Sequence, residues 1–200
     1  MNIANRFSRC RWLGILALLV LAQTVPARTV EGYRFDETAR VGNSSLQLNG
    51  VGVRAVSIFK GYVAALYVVE RSGSADVLVK EPGPKRLAMR MLLGADAHTF
   101  VKALTGGLER NSTSEERSHL QAEIDLFNSN LLEANAVKPG DLVYVEFVPG
   151  SGTHLLLNGR SLGTVVRGEA FYAAFLKIFI GQNVQDLALK QGLLGSRART

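Results

Sequence analysis

Cysteine is almost missing from this chain. The single Cys10 stands in its first dozen residues, so no disulfide framework staples the fold and no thiolate metal site can form. Histidine is scarce as well. His98, His119 and His154 are scattered, with no pair at a ligand spacing such as i, i+4, so the sequence signals no metal site. No serine sits in a Gly-x-Ser-x-Gly strand-to-helix elbow, the match at Gly159 to Gly163 falling on a turn and a strand, so Ser-His-Asp hydrolysis lacks its usual signature. No internal repeat or low-complexity segment is present, and no basic stripe interleaved with aromatics supports binding to nucleic acid.

A long apolar run is also lacking, but a short one is there. Arg6, Arg9 and Arg11 precede an uncharged stretch from Trp12 to Ala22, followed by small residues with Val25-Pro26-Ala27 as a cleavage site. This order predicts a secretory signal peptide over residues 1–27. About eleven apolar residues fall short of the roughly 20 a spanning helix needs. Cys10 precedes the apolar run, so it does not resemble a lipid-attachment cysteine. Cleavage removes it, along with three of the 23 basic residues and none of the 17 acidic ones, so the formal charge falls from +6 to about +3. The expected product, residues 28–200, is one exported domain, periplasmic in a Gram-negative cell, with no membrane span. Its size allows burial of roughly 70% of the unfolded chain's surface.

Within that domain the pattern alternates between strand and helix signals. Residues 28–49 read as turns and short strands. Ser74 caps a short helix over Ala75 to Lys80, and Lys85 to Leu93 alternates as a strand. Helical spacing covers Asp96 to Glu109 and Ser114 to Glu133, the latter with Leu120, Ile124, Phe127 and Leu131 on one stripe. A meander follows: Leu142 to Val148, Thr153 to Leu157, the type I′ turn signal Asn158-Gly159, then Ser161 to Val166. Helices over Glu169 to Ile180 and Val184 to Leu194 close the chain, and Ser196 to Thr200 is a basic tail. Strands, then helices, a meander and more helices predict an α+β fold, an antiparallel sheet covered by helices.

The sequence is organised around Leu48 to Val69, rich in β-branched and aromatic residues and broken at Lys60-Gly61. That reads as a hairpin turning at Lys60-Gly61, apolar on both faces, so each face of the sheet needs a cover. Gly50-x-Gly52-x-x-Ala55 formally fits a dinucleotide fingerprint, but strand formers follow where a helix should open. Close backbone approach or a bulge explains those glycines better.

Arg54 is the one charge in this apolar surface, sharing a strand face with Val56 and Ile58. A guanidinium there needs an anion or several acceptors: a ligand, backbone carbonyls or a structural acid. Its companion depends on register. A two-residue turn pairs Arg54 with Tyr67, whereas a shift or bulge brings Tyr62 to its face. An arginine and a phenol in an apolar cleft suit the head of a greasy carboxylate or phenolate.

The stretch Leu-Asn-Gly-Val-Gly-Val-Arg54, with Phe-Lys-Gly-Tyr62-Val-Ala-Ala-Leu-Tyr67-Val, resembles the chalcone isomerase family. Phe175-Leu-Lys-Ile-Phe-Ile-Gly181 and Leu187-Ala-Leu-Lys-Gln-Gly-Leu-Leu-Gly195 resemble its closing helices. The likeness spans roughly residues 31–195 and is loose between Ser72 and Val137. It implies an open-faced β-sandwich with a ligand cleft between sheet and helices. It further implies that Arg54 matches the arginine which, in the plant enzymes, holds the phenolate of a ring-closing enone. Those enzymes carry a threonine where this chain has Tyr62, and their Tyr-Ser-x-Lys-Val-x-Glu-Asn segment has no counterpart around Phe100 to Leu108. The family's fatty-acid-binding branch carries an arginine and a tyrosine, which Arg54 and Tyr62 resemble.

Three readings follow. The first is a binder of a fatty acid or similar small amphiphile, anchored by Arg54 and Tyr62 with Tyr67 as a further companion. The second is a cofactor-free intramolecular lyase acting through Arg54 on a phenolic compound. The third is a structural envelope protein, marked by a collapsed cleft or by an Arg54 satisfied internally.

Overall fold

The structure is a computed structural model that describes residues 27–56 and 59–196. The expected signal peptide therefore lies outside the described residues except for Ala27, as do Ile58 and most of the basic tail.

Eleven strands and six helices are described among these residues. Short strands open the chain: β1 (Ala27–Val30), β2 (Tyr33–Asp36) and β3 (Thr38–Val41). The long pair β4 (Ser44–Val56) and β5 (Phe59–Val68) follows, then α1 (Ala75–Lys80) and β6 (Lys85–Met91). The middle holds β7 (Ala95–Asp96), α2 (Ala97–Asn111), α3 (Ser114–His119), α4 (Gln121–Leu132) and β8 (Ala136–Val137). The meander β9 (Leu142–Val148), β10 (Gly152–Leu157) and β11 (Arg160–Val166) leads to α5 (Glu169–Ile180) and α6 (Leu187–Leu193). Seven strands form one antiparallel sheet in the order β11-β10-β9-β6-β5-β4-β3. The α+β expectation is met.

Both faces of the sheet are apolar, and each has its own cover. One face carries Ala64, Leu66, Leu87, Met89, Val145 and Leu155 under the helices, whose Phe127, Phe171, Tyr172 and Phe175 pack ring against ring at 5.1–5.8 Å. The other carries Leu46, Leu48, Val51, Val63, Ala65 and Tyr67. It is covered not by helices but by the β1–β2 hairpin, through Val30, Tyr33 and Phe35. On this second face Arg86 and Arg90 lie over the rings of Tyr144 and Tyr33 at 4.4 and 5.3 Å, stacking contacts open to a planar cation on an aromatic face.

Three local expectations need correcting. The helix expected over Ser114 to Glu133 is two, broken at Leu120, whose φ of −102° and ψ of 12° leave the helical region. Thr113 and Glu116 form a complete capping box for the exposed α3. The break then lets α4 bury Ile124, Phe127 and Asn130 on its own line. The last helix starts at Leu187 rather than Val184, because Asp186 caps it by accepting from the Leu189 N–H at 2.9 Å.

The third correction is the hairpin turn. Val56 pairs with Phe59, and Lys60 and Gly61 lie within β5 rather than at a turn. Gly61 is instead the extra residue of a bulge: Ala55 pairs with Lys60, but Arg54 pairs with Tyr62. A second bulge at Asn49 restores the count, Gly50 pairing with Leu66 and Leu48 with Tyr67.

Candidate functional site

The two bulges decide what faces the helices. Between them Gly50, Gly52 and Arg54 share one face of β4, and Tyr62 lies directly across from Arg54 on β5. Helix α6 lies on the glycines so closely that a Cβ on Gly50 would stand 2.1 Å from the Gly192 carbonyl oxygen, and one on Gly52 2.6 Å from that of Leu189. Close approach is thus the reason for both glycines. Asn49, the bulged residue, is buried and spans the junction. Its Nδ2 donates to the Leu193 carbonyl at 2.7 Å and its Oδ1 accepts from the Ser72 N–H at 2.8 Å.

Beyond the glycines the same face opens into a cavity of about 380 Å³ between sheet and helices. Met89, Met91 and Val145 form its floor; Phe100, Phe127 and Phe175 close it from above. Volume and lining fall in the range of small-molecule sites, predominantly apolar with a few placed polar groups.

The polar groups are Arg54, Tyr62, Thr99, Arg110, Gln185 and Asp186. Arg54 Nη1 donates to Asp186 Oδ2 and Nη2 to Gln185 Oε1, each at 3.3 Å. The Asp186 carboxylate also accepts from the Ala55 N–H at 3.1 Å. Burial alone would raise its carboxyl, but the Leu189 and Ala55 N–H groups and the Arg54 guanidinium outweigh that and hold it below the usual carboxylate range. The Tyr62 hydroxyl has no protein hydrogen-bond partner among the described residues. Burial pushes it up to about 12, although Arg54 pulls the other way, so it remains a neutral O–H donor at physiological pH.

Tyr67 does not belong to this site. Alternation puts it on the opposite face of β5 from Tyr62, where its hydroxyl donates to the Asp36 carbonyl at 3.0 Å. The bulge at Gly61 is the physical cause: without it Arg54 would pair with Gly61 and share the face that carries Tyr67, whereas with it Arg54 pairs with Tyr62. Sequence reasoning missed Gln185, Asp186 and Arg110. Asp186 is visible as a helix-cap residue, but no periodicity links it to Arg54, 132 positions away. Arg110 lines the cavity from the last turn of α2, and no ion pair holds it among the described residues. Of the two signs of a ligand-free structural protein, one is present: Arg54 meets an internal acid. The other is absent, because the cleft is open.

A family model for chalcone isomerase-like proteins matches residues 27–195. The chain belongs to the chalcone isomerase-like family. Among solved structures, that of a fatty-acid binding protein from Arabidopsis thaliana has a similar fold, with a TM-score of 0.62 at 16% identity. The match covers 84% of this chain and 96% of the plant protein. No curated protein sequence matches the chain. Family membership accounts for the sheet-and-helix architecture. It leaves the Arg54–Asp186 pair to be explained from this chain's own residues.

Proposed function

We propose that this chalcone isomerase-like protein is an exported binder of a fatty acid or similar single-headed amphiphile. The observation that carries the reading is an open apolar cavity beside Arg54 and an unpartnered Tyr62 hydroxyl. The alkyl chain lies between sheet and helices, and the oxygen head accepts from Tyr62 and from Arg54, which keeps donors beyond the two engaged by Asp186 and Gln185. A neighbouring fold that is a plant fatty-acid binding protein supports the same class of ligand. Ring closure of a phenolic enone draws less support, because Tyr62 stands where the plant enzymes carry a threonine and their Tyr-Ser-x-Lys-Val-x-Glu-Asn segment has no counterpart here. Export rests on the basic, apolar and small-residue order of the first 27 residues.

The test is native mass spectrometry of the mature protein purified from its producing cells, with organic extraction of what it carries. A co-purifying amphiphile is expected. A charge-assisted hydrogen bond contributes about 1.5–3 kcal/mol, so Arg54→Ala should weaken titrated dodecanoate binding at least tenfold. Equal affinity in the variant would remove Arg54 from the site.

A further inference from the structure

The Arg54–Asp186 pair is built asymmetrically. Asp186 is fixed by backbone donors on two elements, the Leu189 N–H at 2.9 Å on α6 and the Ala55 N–H at 3.1 Å on β4. Its contact with Arg54 is the loosest of the three at 3.3 Å, and Gln185 reaches Arg54 at the same distance. Charge-assisted bonds at their best run to about 2.7–2.9 Å. Arg54 is therefore the adjustable partner and Asp186 the stationary one.

The segment carrying Asp186 is held from behind as well. Asn111 Oδ1 accepts from the Asn183 N–H at 3.0 Å, and Asn183 Nδ2 donates to the Arg110 carbonyl at 2.9 Å. Lys190 Nζ donates to the Gly181 carbonyl at 2.7 Å. A head group that engages Arg54 thus does so with the Asp186 carboxylate still beside it. Asp186 offsets the charge of Arg54, leaving Arg110 as the other cation lining the cavity, and a carboxylate bound at Arg54 brings a negative charge against the fixed one of Asp186. A neutral oxygen head meets the same Tyr62 and Arg54 donors without that repulsion.

We propose that Asp186 sets the head-group charge preference of the cavity, holding down its affinity for carboxylates relative to neutral oxygen-headed amphiphiles. This rests on the amphiphile-binding reading above. Like-charge neighbours shift carboxyl equilibria by about one to a few pKa units, about tenfold in equilibrium constant per unit.

The experiment is a calorimetric titration of the mature protein with dodecanoate and dodecan-1-ol. The wild type is expected to bind the two within about threefold of each other. Asp186→Asn and Asp186→Ser, which both keep a helix-capping side chain, should each raise the ratio of dodecanoate to dodecanol affinity about tenfold. Asp186→Glu, which keeps the charge, should leave that ratio near the wild-type value. A wild type that prefers dodecanoate by more than tenfold overturns the proposal without any variant, as does a ratio unmoved in both Asn and Ser variants. Binding of neither ligand by any of the proteins overturns the amphiphile reading itself, and this proposal with it.

Discussion

Tyr62 is the residue whose state reports most directly on the site. Its phenol is buried beside Arg54 and Asp186 and ionises near 12 rather than the ordinary 10.0. A group whose folded value is raised contributes stability that is present below the unfolded value and lost as pH rises through the folded one. Between pH 10 and 12 the wild type should thus lose stability that Tyr62→Phe keeps. Chemical denaturation across that window, with absorbance at 295 nm to follow phenolate, checks it; parallel curves for the two proteins would place the hydroxyl in solvent. Arg54 and Tyr62 were both legible in the sequence, the first as a lone charge in an apolar strand and the second through a register left open. Asp186 was not legible as their neighbour, since its local signal is only that of a cap.

At the scale of elements, the site depends on how closely α6 lies on β4. Gly50 and Gly52 allow that approach, and the nearest atom a Cβ would meet at either is a backbone carbonyl oxygen, which cannot swing away. Overpacking costs about 1–3 kcal/mol, so Gly52→Ala should lower the melting temperature by about 3–10 °C in a domain of this size. Because Asp186 caps α6, the same change should also weaken dodecanoate binding. A melting temperature within 1 °C of the wild type, measured by calorimetry, would show that α6 yields easily. The glycines were recognisable as close-approach positions from sequence. The element they admit was not, because a missing side chain says only that something comes near.

At the scale of the whole molecule, the proposed export signal ends near residue 27, where the family match begins. The mature protein is expected to begin at Arg28, which intact mass and N-terminal sequencing of the secreted or periplasmic form would check. Retention of Cys10 in that form, detected by thiol labelling, would overturn cleavage. The sequence by itself determined the α+β class, the meander, most helix spans and the need to cover both sheet faces. Each of these follows from local periodicity, capping residues and turn chemistry within a few positions. Tertiary structure alone decided that the β1–β2 hairpin covers the second face, that the Ser114 to Glu133 stripe breaks at Leu120, and that Tyr62 rather than Tyr67 faces Arg54. The last turned on a single bulged residue at Gly61. In a strand, one residue moves every side chain beyond it to the other face, and only the packing of the whole sheet fixes where that residue sits.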